Sequence, residues 1–164
     1  MPLDINQFTQ NIASPARLYI WEVVIPGVID AGFRAQTSQF PSVGSTDIDL
    51  FYQGETVKFA GAPEYEHIWT CEFAEGEDGA IYNALYDWRQ QIWSQTEFSQ
   101  QAPAVYKRDI QVNCLKSSDS TPWVSAVLHG CYPKTIDALA LDRSANTEAV
   151  KWSVQFSFDN WNKV

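Results

Sequence analysis

Residues 150–158 read Val-Lys-Trp-Ser-Val-Gln-Phe-Ser-Phe. Val150, Trp152, Val154, Phe156 and Phe158 fall on one side of an extended chain. Lys151, Ser153, Gln155 and Ser157, continued by Asp159, fall on the other. Successive side chains of a strand point to opposite faces, so this period of two predicts a strand with one face buried. The same grammar recurs upstream. Leu18 to Ile25 is rich in β-branched and aromatic residues and ends at Pro26-Gly27. Phe33 to Phe40 predicts a second strand, stopped at Pro41. His67 to Phe73 places Trp69, Cys71 and Phe73 on one face, and Tyr106 to Leu115 does so with Ile110, Val112 and Cys114. A polar turn, Ser117 to Pro122, precedes a strand from Trp123 to Tyr132 whose apolar face is Val124, Ala126, Leu128 and Tyr132.

Two segments break this pattern. Within residues 42–61, the runs Asp47 to Tyr52 and Glu55 to Phe59 flank Gln53-Gly54, which predicts a hairpin. Such a hairpin cannot bury both faces against one small core, so it is expected to project. Its apolar residues Leu50, Phe51, Tyr52, Val57 and Phe59 are then candidate contacts between subunits. From Ala80 to Ser94 the period becomes helical, with Ile81, Leu85, Trp88 and Ile92 on one stripe. Asp78 is the expected N-cap, in an acidic run that complements the helix dipole. About seven strands and one central helix predict a mainly β protein, an antiparallel sandwich or barrel. With 164 residues and no linker or repeat, the chain reads as one domain: a polar arm over 1–16, the hairpin over 42–61 and the helix over 79–94.

Composition narrows the function by exclusion. A net charge of −9 disfavours sequence-specific nucleic-acid binding, which needs a Lys/Arg surface to neutralise phosphates. No apolar run approaches the roughly 20 residues that span a bilayer, and the N-terminus lacks the pattern of a signal peptide. Cytosolic synthesis is the default expectation. Cys71, Cys114 and Cys131 are odd in number, sit in apolar strand-like runs and read as reduced thiols. His67 and His129 have no metal-type spacing, and Glu75-Gly-Glu-Asp-Gly lacks the ligand spacing of a calcium loop. No phosphate loop or nucleophile elbow occurs, so no catalytic residue, metal or cofactor is expected. Seven tryptophans could serve a carbohydrate-binding module, but Trp21, Trp69, Trp88 and Trp152 lie on apolar faces or among apolar neighbours, as core residues would. Trp123 and Trp161 are less settled.

The order of these pieces resembles the tail-tube proteins of contractile-tailed phages. An N-terminal arm runs into the Leu18 to Ile25 strand. Phe40-Pro41-Ser42-Val43-Gly44 is similar to the family's apolar-Pro-small-Gly corner, and Phe59-Ala60-Gly61 to its hairpin ending. Trp69 to Phe73 leads to a helix bearing Tyr86-Asp87-Trp88, and Tyr132-Pro133 leads through a polar Asn-Thr-Glu turn to the closing strand ending near Trp161. Val28 to Gly32 and the acidic run Glu75 to Asp78 have no counterpart in that pattern.

The resemblance implies a non-enzymatic structural subunit with the tube-forming fold that pyocin and type VI secretion tubes share. Such subunits form six-fold rings that stack into the inner tube of a contractile tail, a virion component assembled in the host cytoplasm. Partners implied are further copies, the sheath, the baseplate and the tail terminator. DNA would pass through without specific binding, and the subunit itself would bind no membrane. A polar, net-negative wall suits a polyanion in transit. Candidates for that wall lie opposite the apolar strand faces: Glu22, Thr70, Glu72, Ser153, Gln155 and Ser157. The alternatives are a baseplate-proximal tube paralogue, the tube of a secretion or bacteriocin particle, a monomeric carbohydrate-binding module and a small β-barrel enzyme.

Overall fold

The computed structural model describes residues 12, 14–94, 96–145 and 147–164. Most of the arm expected over residues 1–16 lies outside them. The elements run β1 (Trp21–Val24), α1 (Ala31–Arg34), β2 (Ala35–Ser38), β3 (Gly44–Tyr52), β4 (Glu55–Glu64), β5 (Ile68–Ala74) and α2 (Ala80–Ile92). After α2 come β6 (Trp93–Ser94), β7 (Ser99–Gln100), α3 (Pro103–Tyr106), β8 (Arg108–Leu115), β9 (Pro122–Ile136), β10 (Lys151–Ser157) and β11 (Asn160–Lys163). Seven strands form one antiparallel sheet in the order β1-β8-β9-β10-β5-β2, with β11 also paired to β9. The fold is therefore mainly β and antiparallel, as the alternating runs predict. It stops short of a closed barrel, because β1 and β2 lie at the two ends of the sheet.

One face of the sheet carries the core. Trp152, Val154 and Phe156 of β10 lie beside Phe73, Cys71 and Trp69 of β5 in register, all at most 3% exposed. Aromatic rings interlock there, with Phe73 against Trp152 at 5.8 Å and Trp69 against Phe156 at 5.5 Å. Helix α2 lays Ile81, Leu85, Trp88 and Ile92 onto the same cluster. Those are the four residues of its apolar stripe, so a period of 3.6 translates directly into one buried face.

Three local readings are corrected by the structure. Phe33 is not in a strand: Ala31–Arg34 forms one helical turn, leaving Ala35–Ser38 as β2. That turn lies against β1, where a Cβ on Gly32 would stand only 3.0 Å from the Val23 carbonyl oxygen. Phe33 is left 90% exposed.

The strand after the Ser117 to Pro122 turn does not end at Tyr132. It continues through Pro133 to Ile136, with Pro133 opposite Phe156 at a shift in register. A residue without an N–H is tolerated at such an irregularity. Upstream, Gly130 at φ +67° inserts an extra residue opposite β8 and reverses the alternation. Cys131 and Pro133 thus turn inward, while Tyr132 is only half-buried, its ring edge-on to Tyr106 at 5.6 Å.

Asp78 is not the cap of α2. Gly79 occupies the N-cap in the left-handed region and makes no side-chain cap bond. The carboxylate of Glu75 accepts instead from the N–H groups of Ile81 at 3.4 Å and Tyr82 at 2.8 Å. Asp78 is drawn to Arg34, which donates to it through both terminal nitrogens at 2.8 Å.

Candidate assembly surface

The chemistry-bearing side chains do not converge. His67 Nδ1 meets the Phe158 carbonyl oxygen at 3.2 Å, and its ring lies 4.9 Å from Tyr65. His129 sits on the outer side of β9 between Asp109, 2.9 Å from Nδ1, and Asn162, against Nε2. The hydrogen bond that the His129 ring donates to the Asp109 carboxylate raises the His129 pKa, which favours a charged ring holding β8, β9 and β11 together. Burial pushes the thiols of Cys71 and Cys131 up to about 12, so both stay protonated and unreactive near neutrality. Among the described residues no three His, Cys, Asp or Glu side chains group as a metal site would require. Trp69, Trp88 and Trp152 are buried, and Trp161 packs edge-on against Phe40 at 6.0 Å. The exposed Trp93 and Trp123 lie on separate strands, β6 and β9.

What the chain presents is surface, most of all on the hairpin. Among the described residues β3 and β4 pair only with each other, and every one of their residues except Gly61 is exposed. Their turn, Gln53-Gly54, has φ of 50° and 86°, the two positive values that a tight hairpin of matching twist requires. Register sorts the side chains. Leu50 faces Val57, Ile48 faces Phe59 and Tyr52 faces Glu55, which puts Ile48, Leu50, Tyr52, Val57 and Phe59 on one apolar face. Asp47, Asp49, Phe51, Thr56 and Lys58 occupy the other, where Lys58 bridges Asp47 and Asp49, each at 3.1 Å. Four of the five hairpin residues singled out from sequence thus come together. Phe51 does not, and Ile48 was missed, although its alternation with Leu50 and Tyr52 already marks it.

The six wall candidates all lie on the face of the sheet away from the core, but in two groups. Thr70 is cross-strand from Gln155, Glu72 from Ser153, and Ser157 lies two residues on, so five form a contiguous polar patch on β5 and β10. Glu22 is three strands away, on β1. Its carboxylate accepts from Asn113 Nδ2 at 2.9 Å, and Asn113 is 6% exposed.

Several solved structures share this shape. The chain superposes on the tube-terminating cap of the anti-feeding prophage with a TM-score of 0.67 at 16% identity, covering 92% of this chain and 91% of the other. A chain of the extended sheath-tube complex of the PVC extracellular contractile injection system gives 0.64 at 15%, covering 95% and 97%. Hcp1 from Flavobacterium johnsoniae gives 0.50 at 10%, covering 88% and 94%. No curated protein matches the chain. These likenesses show a shared fold, a mainly β antiparallel subunit. Sequence goes one step further: the family model for phage tail tube proteins matches residues 4–164, and the chain belongs to that family.

Proposed function

We propose that this chain is a structural subunit of the inner tube of a contractile phage tail, folded as one domain over 1–164 and assembled as six-fold rings that stack into a conduit for DNA. It is not an enzyme. Its partners are its own copies, the surrounding sheath, and the baseplate and terminator at the tube ends. It is assembled in the host cytoplasm and carried in the virion. The same subunit could instead form the tube of a phage-derived injection particle, as its likeness to parts of the anti-feeding prophage and PVC suggests; the neighbouring genes separate the two readings.

The observation that carries the proposal is the hairpin. Its face of Ile48, Leu50, Tyr52, Val57 and Phe59 is 46–69% exposed and belongs to no core cluster among the described residues. Water-exposed apolar area of this kind is stabilised by contact with another surface. Electron microscopy of the purified chain should show hollow tubes or stacked rings. Deleting residues 51–57 should leave a subunit with its melting transition intact that no longer polymerises, because the hairpin pairs only with itself. Dispersed monomers of the intact chain would refute the tube reading.

The contiguous patch of Thr70, Glu72, Ser153, Gln155 and Ser157 is assigned to the channel wall. Glu72→Lys in assembled tails should then slow DNA ejection, more strongly at low ionic strength, where the Debye length grows from about 8 Å to about 30 Å. Glu22→Lys is a poorer probe, since it also breaks the bond to Asn113. Ejection by the Glu72 variant that matches wild type at every salt concentration would remove the patch from the wall.

A further inference from the structure

We infer that the apolar face of the hairpin seats in a groove on a second copy of this chain, the one lying between the start of β1 and the end of β2. The inference rests on the tube reading and supplies what that reading leaves open, the surface that receives the hairpin. The groove encloses about 330 Å³ and is lined chiefly by Leu18, Ile20, Trp21, Phe40, Val112 and Trp123. Leu18 is 98% exposed and Trp123 52% exposed, so the apolar lining is open to solvent. Two apolar surfaces on one subunit, neither covered by the described residues of the chain that carries it, are of unlike shape: a flat two-stranded blade and a concave slot. A contact between unlike patches is heterologous, and heterologous contacts propagate into rings or stacks rather than closing as a dimer.

Charge selects the same pairing. Glu55 is the one charged residue on the apolar face of the hairpin, at its tip beside Tyr52, and it forms no ion pair among the described residues. The groove holds Arg17 in its lining, and the cavity that continues it, sharing Ala16, Arg17 and Trp123, adds Lys116. Neither lining contains an acid, in a chain with 20 acids and 11 bases. Asp119, in the turn that follows Lys116, is engaged by the Thr121 N–H and hydroxyl. An acidic tip on an apolar blade thus meets a basic rim on an apolar slot. At a partly desolvated interface such a rim pair fixes register and suppresses wrong pairings.

Two single substitutions at exposed positions test the pairing without disturbing the core: Leu50→Asp on the blade and Leu18→Asp in the slot. Each alone should keep the wild-type melting transition and lose tube formation. Mixed in equal amounts, the two should form a complex of twice the subunit mass on size-exclusion chromatography, since the intact blade of the Leu18 variant still fits the intact slot of the Leu50 variant. If Leu18→Asp forms wild-type tubes while Leu50→Asp does not, the groove is not the receptor, although the hairpin remains an interface. If neither variant assembles and the mixture stays monomeric, the pairing is likewise wrong. Wild-type tubes from Leu50→Asp would overturn both this pairing and the role of the hairpin.

Discussion

Trp88→Ala should destabilise the subunit by about 3–5 kcal/mol, the range for truncating a buried aromatic. For a domain of this size that corresponds to a fall of roughly 10 °C in melting temperature. Trp88 is 1% exposed on the buried stripe of α2, and its ring centroid lies 5.9 Å from that of Phe156 on β10. Its indole N–H donates to the Tyr106 carbonyl at 2.6 Å, which ties α2 to the end of α3. The Arg108 guanidinium carbon stands 4.4 Å above the ring, while Arg108 Nη1 donates to the Pro26 carbonyl at 2.8 Å. Truncation would therefore open a cavity, leave a buried carbonyl without its donor and strip the face on which Arg108 rests. Trp88→Phe refills much of the volume and leaves only the unpaired carbonyl, so its cost should be smaller, about 1–3 kcal/mol. Thermal or urea unfolding followed by circular dichroism measures both. An alanine variant that melts with the wild type would show that this stripe does not carry the packing assigned to it.

Such a residue is legible in sequence because burial on a regular element writes a period. Ile81, Leu85, Trp88 and Ile92 are visible as a stripe, and Trp152, Val154 and Phe156 as an alternation, before any coordinates are known. The period fails where the backbone is irregular. Gly130 shifts the in-out sense of β9, so a reading in strict twos misses the fully buried Cys131 and gives the inner place to Tyr132, which is only half-buried against the core. The hairpin fails differently. Leu50, Phe51 and Tyr52 are consecutive apolar residues, and only the cross-strand register shows that Phe51 lies with Asp49 and Lys58 rather than with Leu50. The wall candidates expose a third limit. A polar strand face looks alike whether it lines a channel or meets a partner, so sequence finds the patch on β5 and β10 without distinguishing it from the separate Glu22–Asn113 pair on β1 and β8. Charge adjacency misleads in the same way: Asp78 is closer in sequence to the start of α2 than Glu75 is, yet Glu75 accepts from the Ile81 and Tyr82 amides while Asp78 pairs with Arg34.

That last difference has a measurable consequence. Glu75→Ala should cost about 2–3 kcal/mol, combining a lost helix cap with a lost charge-assisted hydrogen bond. The Glu75 side chain is 9% exposed and serves four groups: the N–H of Ile81, the N–H of Tyr82, the N–H of Gly76 at 3.3 Å and Arg34 Nη1 at 3.1 Å. Two of these are orphan donors of the first helical turn, at the positive end of the helix dipole. Asp78→Ala removes an exposed contact to Arg34 and an exposed interaction with the Ala80 backbone and should be milder, which reverses the ranking expected if Asp78 capped the helix. Glu75→Gln should fall between wild type and alanine, since an amide oxygen still accepts from the backbone but offers no charge to Arg34. In Glu75→Ala, Arg34 keeps Asp78, whose carboxyl is held down to about 2 by the hydrogen bonds from that guanidinium. A lowered carboxylate pKa contributes its stability in full above the ordinary value of 3.8, and loses it only as pH falls toward 2. The gap between Glu75→Ala and Asp78→Ala should therefore already be present at neutral pH, where the Arg34–Asp78 pair is complete. Equal unfolding free energies for the two variants at pH 7 would mean that Glu75 does not cap α2.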